Sequence, residues 1–169
     1  MVHQNDYTTS QSVAVILNIQ SREYDRLHIS NEAEIENGIR FCATCFAYTQ
    51  EFGIPVKLLT NAPLQNSAEP VESNEFAGSE HVLNLLRTLA KLQLISVEGF
   101  DSYLSSIYDR ITATDILLVT SYVDEPVLEF VRKKEEDGTH VKLFVLETIP
   151  TDCDVEVYDL SHCFHKADN

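Results

Sequence analysis

The sequence predicts an α/β protein of three layers, in which a mostly parallel sheet of five to six strands lies between two layers of helices. Two continuous apolar runs, 13–17 and 116–119, are typical of buried central strands. Amphipathic helical segments alternate with the strands, an order that favours parallel pairing. A length of 169 residues suits one domain with a single core.

Local patterns predict the first strand and the first helix. After the strand at 13–17 comes a polar connector, and Ser30 and Asn31 then precede Glu34, an arrangement typical of a helix start. Apolar residues at helical spacing follow: Ile35, Ile39, Cys42 and Phe46. We expect this helix to stop at Gly53.

A short second strand is predicted at 56–60. Turn-forming residues are frequent in 61–78, which indicates an irregular surface excursion, with a short edge strand or hairpin around Val71 as an open alternative. Ser79 is placed to cap the next helix. The apolar face of that helix comprises Val82, Leu85, Leu86, Leu89 and Leu92. A further helix is expected to begin near Gly99.

The last part of the chain repeats the alternation of strand and helix. The strand at 116–119 leads to Asp124, which is placed to cap a helix that ends at Gly138. Another strand is predicted at 141–146. The alternating segment 155–158 suits the edge of a sheet.

Two central strands are expected to form the crevice where a ligand would bind. Right-handed crossovers place 13–17 beside 116–119, and ligands of open α/β sheets bind at the carboxyl ends of such strands. The candidate residues there are Asn18, Gln20, Ser21, Arg22, Ser121, Tyr122 and Asp124. Since no carboxylate lies between Asn18 and Arg22, the sequence predicts a crevice without paired carboxylates, a bound cation or a cofactor.

Composition and charge exclude several classes of partner. The chain carries 27 acidic and 12 basic residues, a net charge of -15, so we expect no nucleic acid binding and no direct contact with a membrane. No apolar stretch approaches the ~20 residues of a membrane span, and no secretion signal is recognisable, so we expect a cytoplasmic location. We divide the chain into a polar segment at 1–12, one domain at 13–160 and a tail at 161–169.

The four cysteines are expected to be reduced thiols. Cys42 and Cys45 lie in a helical apolar pattern, where a thiol behaves as a small apolar side chain. The alternative is a zinc site, since Cys-x-x-Cys is a common pair of ligands. Its ligands would be Cys42, Cys45, Cys163 and His165.

The order and spacing of four segments are similar to those of a bacterial family. The segments are VAVILNIQS at 13–21, GSEHVLNLLRTLAKLQ at 78–93, FDSYLSSI at 100–107 and DILLVTSYVDEPVLEFV at 115–131. Together they resemble the carboxyl-terminal half of the domain-of-unknown-function-58 family, whose fold is like a von Willebrand factor type A domain. The resemblance spans about 13–147.

The resemblance implies a degenerate metal-adhesion site. Type A domains bind a divalent cation through an Asp-x-Ser-x-Ser loop after the first strand, a threonine from another loop and an aspartate after the fourth strand. The matching positions that depart from this pattern hold Asn18, Gln20, Arg22 and Ser121. Two acidic ligands are therefore missing, and the guanidinium adds a repelling charge. Asp124 would supply one carboxylate at most, and a helix cap is its expected role.

The resemblance also implies a partner. Members of this family are usually longer, with a membrane-anchored or β-rich amino-terminal part, and are often encoded beside MoxR-type AAA+ ATPases. We therefore expect a fragment or shortened form of a larger bacterial protein. The leading hypothesis is a non-enzymatic interaction or assembly domain that presents 18–31, 61–78 and 121–126 to a protein partner such as that ATPase.

The alternative hypothesis is a small-molecule or nucleotide-binding module, or an enzyme, of the Rossmann or flavodoxin type. Phosphate-binding loops need clustered glycines, whereas the glycines at 38, 53, 78, 99 and 138 have positions typical of caps and turns. A response-regulator phosphoacceptor domain is a third hypothesis. It requires acidic residues after the central strands, where this chain has Asn18 and Ser121.

Overall fold

The computed structural model describes residues 10–147 and 149–164, which form a six-stranded sheet with α-helices on both faces. The elements in chain order are β1 (Val13–Leu17), α1 (Glu32–Glu51), β2 (Val56–Pro63), β3 (Pro70–Glu72), α2 (Ser79–Ala90), α3 (Phe100–Ile107) with a 3-10 turn (Tyr108–Arg110), β4 (Asp115–Thr120), α4 (Glu125–Glu136), β5 (His140–Val145) and β6 (Val157–Asp159). The predicted segments 1–12 and 161–169 lie mostly outside the described residues. Within the described ranges, no helix combines the length and the hydropathy of a membrane span.

The strand order is β3-β2-β1-β4-β5-β6, with β3 antiparallel to β2 and the other pairs parallel. Val15 of β1 lies between Leu58 of β2 and Leu117 of β4, so the predicted pairing of the two central strands is confirmed. The chain leaves β1 towards β2 on one side and leaves β4 towards β5 on the other. The carboxyl ends of β1 and β4 therefore form the topological switch point of the sheet.

Helices cover both faces of β1, which is why the strand is apolar throughout. Val15 and Leu17 pack in a core with α1 and α2, whereas Ala14 and Ile16 pack in a core with α3 and α4. Full burial of one Val, Leu or Ile side chain stabilises the folded state by about 1.5–3 kcal/mol. The predicted α/β architecture of three layers is confirmed.

Two predicted helix caps are confirmed. Asn31 Oδ1 accepts the N–H of Glu34 at 3.2 Å, and Asp124 Oδ1 accepts the N–H of Val127 at 3.2 Å. Each bond satisfies an N–H group that has no partner within its own helix. The first turns of α1 and α4 are therefore held in place at the carboxyl edge of the sheet.

Two glycines have roles that the sequence did not reveal. Gly78, not Ser79, is the cap residue of α2, and its φ of 107° is a conformation that strains residues with a Cβ atom. Gly38 lies inside α1 rather than at a cap or turn. A Cβ atom there would lie 3.0 Å from Leu146 Cδ1 and 3.4 Å from Leu17 Cδ1. α1 therefore packs closely over the ends of β1 and β5.

The second strand is longer than predicted. β2 continues to Pro63, and Asn61 and Ala62 are fully buried, so the prediction of a surface excursion was wrong for this part of 61–78. The prediction relied on residue types that favour exposed turns. Asn61 is such a residue, but it is buried and makes its hydrogen bonds inside the protein. The edge strand around Val71 forms as β3.

Candidate functional site

Asn18 closes the carboxyl end of β1 and is fully buried. Its N–H donates to the carbonyl oxygen of Val119 at 2.9 Å, which continues the pairing with β4. Its Nδ2 donates to Thr120 Oγ1 at 3.1 Å, and its Oδ1 accepts the N–H of Gln20 at 3.0 Å. The Asn18 amide therefore ties the two central strands together at the crevice.

Gln20 joins the β1–α1 connector, residues 18–31, to the start of α3. Its Oε1 accepts the N–H of Phe100 at 2.7 Å. Its Nε2 donates to the carbonyl oxygens of Glu23 and Asp25 at 3.0 and 2.8 Å. The side chain is fully buried and both ends of its amide have partners, as buried polar groups require.

Asn61 belongs to the same network and was not predicted as a site residue. Its Oδ1 accepts the N–H of Ile19 at 2.9 Å, and its Nδ2 donates to Gln20 Oε1 and Ser96 Oγ, both at 3.2 Å. The sequence contains no signal for this role, since an asparagine in a turn-rich segment is usually exposed. The pairing of β2 with β1 brings Asn61 to the crevice.

The carboxylate of Asp25 organises the connector. Its Oδ2 accepts the Ser21 hydroxyl at 2.6 Å and the N–H groups of Ser21, Arg22 and Ser30, each at 3.1 Å. Its Oδ1 accepts the Ser30 hydroxyl at 2.6 Å. Burial alone would raise the pKa of Asp25, but the hydrogen bonds to the ionised carboxylate outweigh it and lower this pKa. The connector is therefore a closed loop around one anion.

Two further carboxylates meet at the crevice, so the prediction that it lacks paired carboxylates was wrong. Glu34 lies in the first turn of α1, and Glu147 follows β5. Arg22 Nη1 lies 3.4 Å from Glu34 Oε2, and Arg22 Nη2 lies 2.6 Å from Glu147 Oε2. The three residues come from distant parts of the chain, and for this reason no local motif revealed them.

The pKa of Glu34 is raised to about 7. Burial is the main cause, and the hydrogen bond and the charge of Glu147 raise the pKa further, whereas the Ser121 hydroxyl and the Arg22 charge lower it. Ser121 Oγ lies close enough to act on Glu34, yet it is fully buried and, within the part of the chain that the structure describes, forms no hydrogen bond of regular geometry. Glu34 therefore gains or loses its proton near neutral pH.

The structure separates the predicted contact residues into two groups. The fully buried members are Asn18, Gln20, Ser21 and Ser121. The sheet and the connector enclose these four side chains, and their contact with a partner stays a prediction. The partly exposed members are Arg22, Tyr122 and Asp124. Burial is also the main reason that the pKa of Tyr122 is raised to about 12.

Two apolar side chains at the tip of the connector were not predicted as site residues. Tyr24 is 74% exposed and Leu27 is 82% exposed, although both flank the buried Asp25. Aromatic side chains are enriched among the residues that dominate binding at protein interfaces. The exposed tip of the connector therefore carries two candidate contact side chains, beside the exposed Glu23, Arg26 and His28.

The cysteines do not form the zinc site considered as an alternative. Cys42 and Cys45 are buried in the core under α1, whereas Cys163 is exposed. His165 lies outside the described residues. In 10–147 and 149–164, no three His, Cys, Asp or Glu side chains come together as metal ligands.

Comparisons with known proteins leave the family open. Neither a scan against models of protein families nor a search of curated proteins found a match.

Proposed function

We propose that this chain is a non-enzymatic protein-interaction domain, related to the type A-like part of the domain-of-unknown-function-58 family. The observation that carries the proposal is the exposure of Tyr24 and Leu27 on a connector that is held rigidly by buried hydrogen bonds. Aromatic residues are enriched among those that dominate binding energy at protein interfaces. The buried polar residues stabilise the connector, and Tyr24 and Leu27 at its tip contact the protein partner.

Rigidity of the connector favours this role. Asp25 holds the loop from inside, and Arg26 Nη1 donates to the carbonyl oxygens of Glu23 and Asp25 at 3.0 and 2.8 Å. The carbonyl oxygen of Arg26 accepts the N–H of Ser96 at 2.7 Å, which ties the loop to the segment before α3. A loop that is already ordered loses little conformational entropy when it binds.

The charge around the tip indicates the chemistry of the partner. Burial is the main cause that raises the pKa of Asp124, and the charges of Glu23 and Asp101 raise it further, whereas the hydrogen bond from the N–H of Val127 lowers it. The carboxylates of Glu23, Asp101 and Asp124 therefore lie near one another. The whole chain has a net charge of -15. We propose a partner with a basic surface around an apolar pocket, and the family resemblance favours a MoxR-type AAA+ ATPase in the cytoplasm.

The position of Arg22 favours our proposal that the metal-adhesion site is degenerate. The family resemblance places this residue at the third position of the metal-binding loop, and its guanidinium lies between the carboxylates of Glu34 and Glu147. A fixed guanidinium supplies the positive charge that a divalent cation would bring. We propose that recognition by this domain needs no metal ion.

Binding to the purified MoxR-type ATPase of the same organism tests this function. Replacing both exposed residues, Tyr24→Ser with Leu27→Ser, is expected to weaken binding at least tenfold. The matched control is Tyr48→Ser with Phe52→Ser, which removes two side chains that are 55% and 60% exposed at the end of α1. Equal binding by both double variants, or no binding by the unaltered domain, would contradict the proposal.

A further inference from the structure

The paired carboxylates open onto a cavity of about 270 Å³. Its polar lining residues are Asn31, Glu34, Asn37, Glu147 and Ser161. Arg22 compensates the pair unequally, since it lies 2.6 Å from Glu147 and 3.4 Å from Glu34. Two carboxylates thus face a single guanidinium, and the negative charge of Glu34 is compensated less than that of Glu147.

The hydroxyl of Ser121 is a second polar group at this site. It is fully buried, has no hydrogen bond of regular geometry among the described residues, and lies at the Glu34 carboxyl. This hydroxyl is enclosed and does not line the cavity, so it would act on a bound ligand only through Glu34.

The rest of the lining is an apolar wall. It consists of Ala33, Leu146, Leu160 and Phe164. Leu146 and Leu160 are buried in the core that lies under α1, so this wall is fixed. An apolar wall that ends at carboxylates matches a ligand with an alkyl stem and a positive head.

We propose that this cavity binds a primary alkylammonium group, with Glu34 and Glu147 as counter-ions and the apolar wall around the alkyl stem. The alkylammonium group that we assign to this cavity is the side chain of a lysine of the protein partner. This assignment rests on the proposed interaction function. The recognition of ammonium itself depends only on the cavity.

Ammonium binding should release a proton. The charged groups that face Glu34 are Arg22 from the connector and Glu147 from the segment after β5. Because the pKa of Glu34 is about 7, Glu34 holds a proton at lower pH, and the ammonium must displace it. Affinity should therefore fall about tenfold for each pH unit below 7 and stay level between pH 8 and 9.

Nuclear magnetic resonance titration of the whole chain with n-butylamine at pH 8 tests the cavity. We expect saturable shifts of the Glu34, Ser121 and Glu147 amide signals, with none from n-butanol at the same concentration. Glu147→Gln, a change at a side chain that is 42% exposed, should weaken binding at least fivefold, as should Glu34→Gln. The exposed Glu135→Gln is the control and should bind as the unaltered chain does. Equal shifts from butanol, or unchanged affinity in both cavity variants, would overturn the proposal.

A second arm separates this proposal from the proposed function. Tyr24→Ser with Leu27→Ser should still bind n-butylamine with unchanged affinity. Glu34→Gln with Glu147→Gln should weaken binding to the ATPase at least fivefold if a partner's lysine enters the cavity. Unchanged ATPase binding by that variant would overturn the assignment to a lysine of the partner, even where butylamine binds.

Discussion

Gln20 Oε1 accepts the N–H of Phe100 at 2.7 Å, a bond between residues 80 positions apart in the chain. Through it, the connector after β1 is joined to the first residue of α3. The same oxygen accepts from Asn61 at 3.2 Å. One buried amide thus fixes three segments around the crevice.

Replacing this amide should be costly. Gln20→Leu leaves the N–H of Phe100 buried without its partner and removes one of the two bonds to the carbonyl oxygen of Asp25, so we expect a loss of about 2–5 kcal/mol in the free energy of unfolding. Urea unfolding followed by circular dichroism measures it. Gln65→Leu, on an exposed loop, should change the free energy by no more than about 0.5 kcal/mol. Similar values for both variants would show that the Gln20 bonds contribute little.

Glu34 should make stability depend on pH. Its folded-state pKa of about 7 lies above the ordinary value of 4.5, so the folded chain binds the proton more tightly than the unfolded chain. The free energy of unfolding should therefore fall as pH rises from 4.5 to 7, by at most about 3 kcal/mol. Glu34→Gln should flatten this part of the profile, measured by urea unfolding from pH 5 to 8. Glu36→Gln, at an exposed position on the same helix, should leave the pH dependence of the free energy of unfolding unchanged. If this pH dependence persists in Glu34→Gln, another group causes it.

Tyr103 carries an unfavourable hydroxyl. The side chain is 1% exposed, and among the described residues its OH group has no hydrogen-bond partner. Tyr103→Phe removes this group and keeps the ring, so we expect a gain of about 1 kcal/mol in the free energy of unfolding. Tyr24→Phe, at an exposed position, should have almost no effect. A loss of stability in Tyr103→Phe would reveal a partner for this hydroxyl.

The cysteines should differ sharply in reactivity. Burial raises the pKa of Cys42 well above its ordinary value and that of Cys45 to about 12, whereas Cys163 is exposed. A thiol reagent at pH 7.5 should modify Cys163 rapidly and leave Cys42 and Cys45 intact until the protein is denatured. Mass spectrometry of digested samples measures each site. Rapid modification of Cys42 in the folded protein would show that α1 opens readily.

Local patterns predicted the elements that depend on local physics. The apolar runs 13–17 and 116–119 indicated central strands, and Asn31 and Asp124 indicated helix starts, because burial on both faces and capping leave marks within a few residues. The same reasoning failed at Asn61, whose residue type favours turns but whose side chain bonds to the connector that follows the neighbouring strand.

The sequence by itself determined the order of strands and helices and the position of the crevice at the ends of β1 and β4. Only the tertiary structure decided the charge of that crevice. Arg22, Glu34 and Glu147 belong to a connector, a helix and the segment after β5, and they meet because parallel strands deliver their carboxyl ends to one edge of the sheet. Contacts between such segments depend on how the chain packs, and they produce no motif of fixed spacing in the sequence.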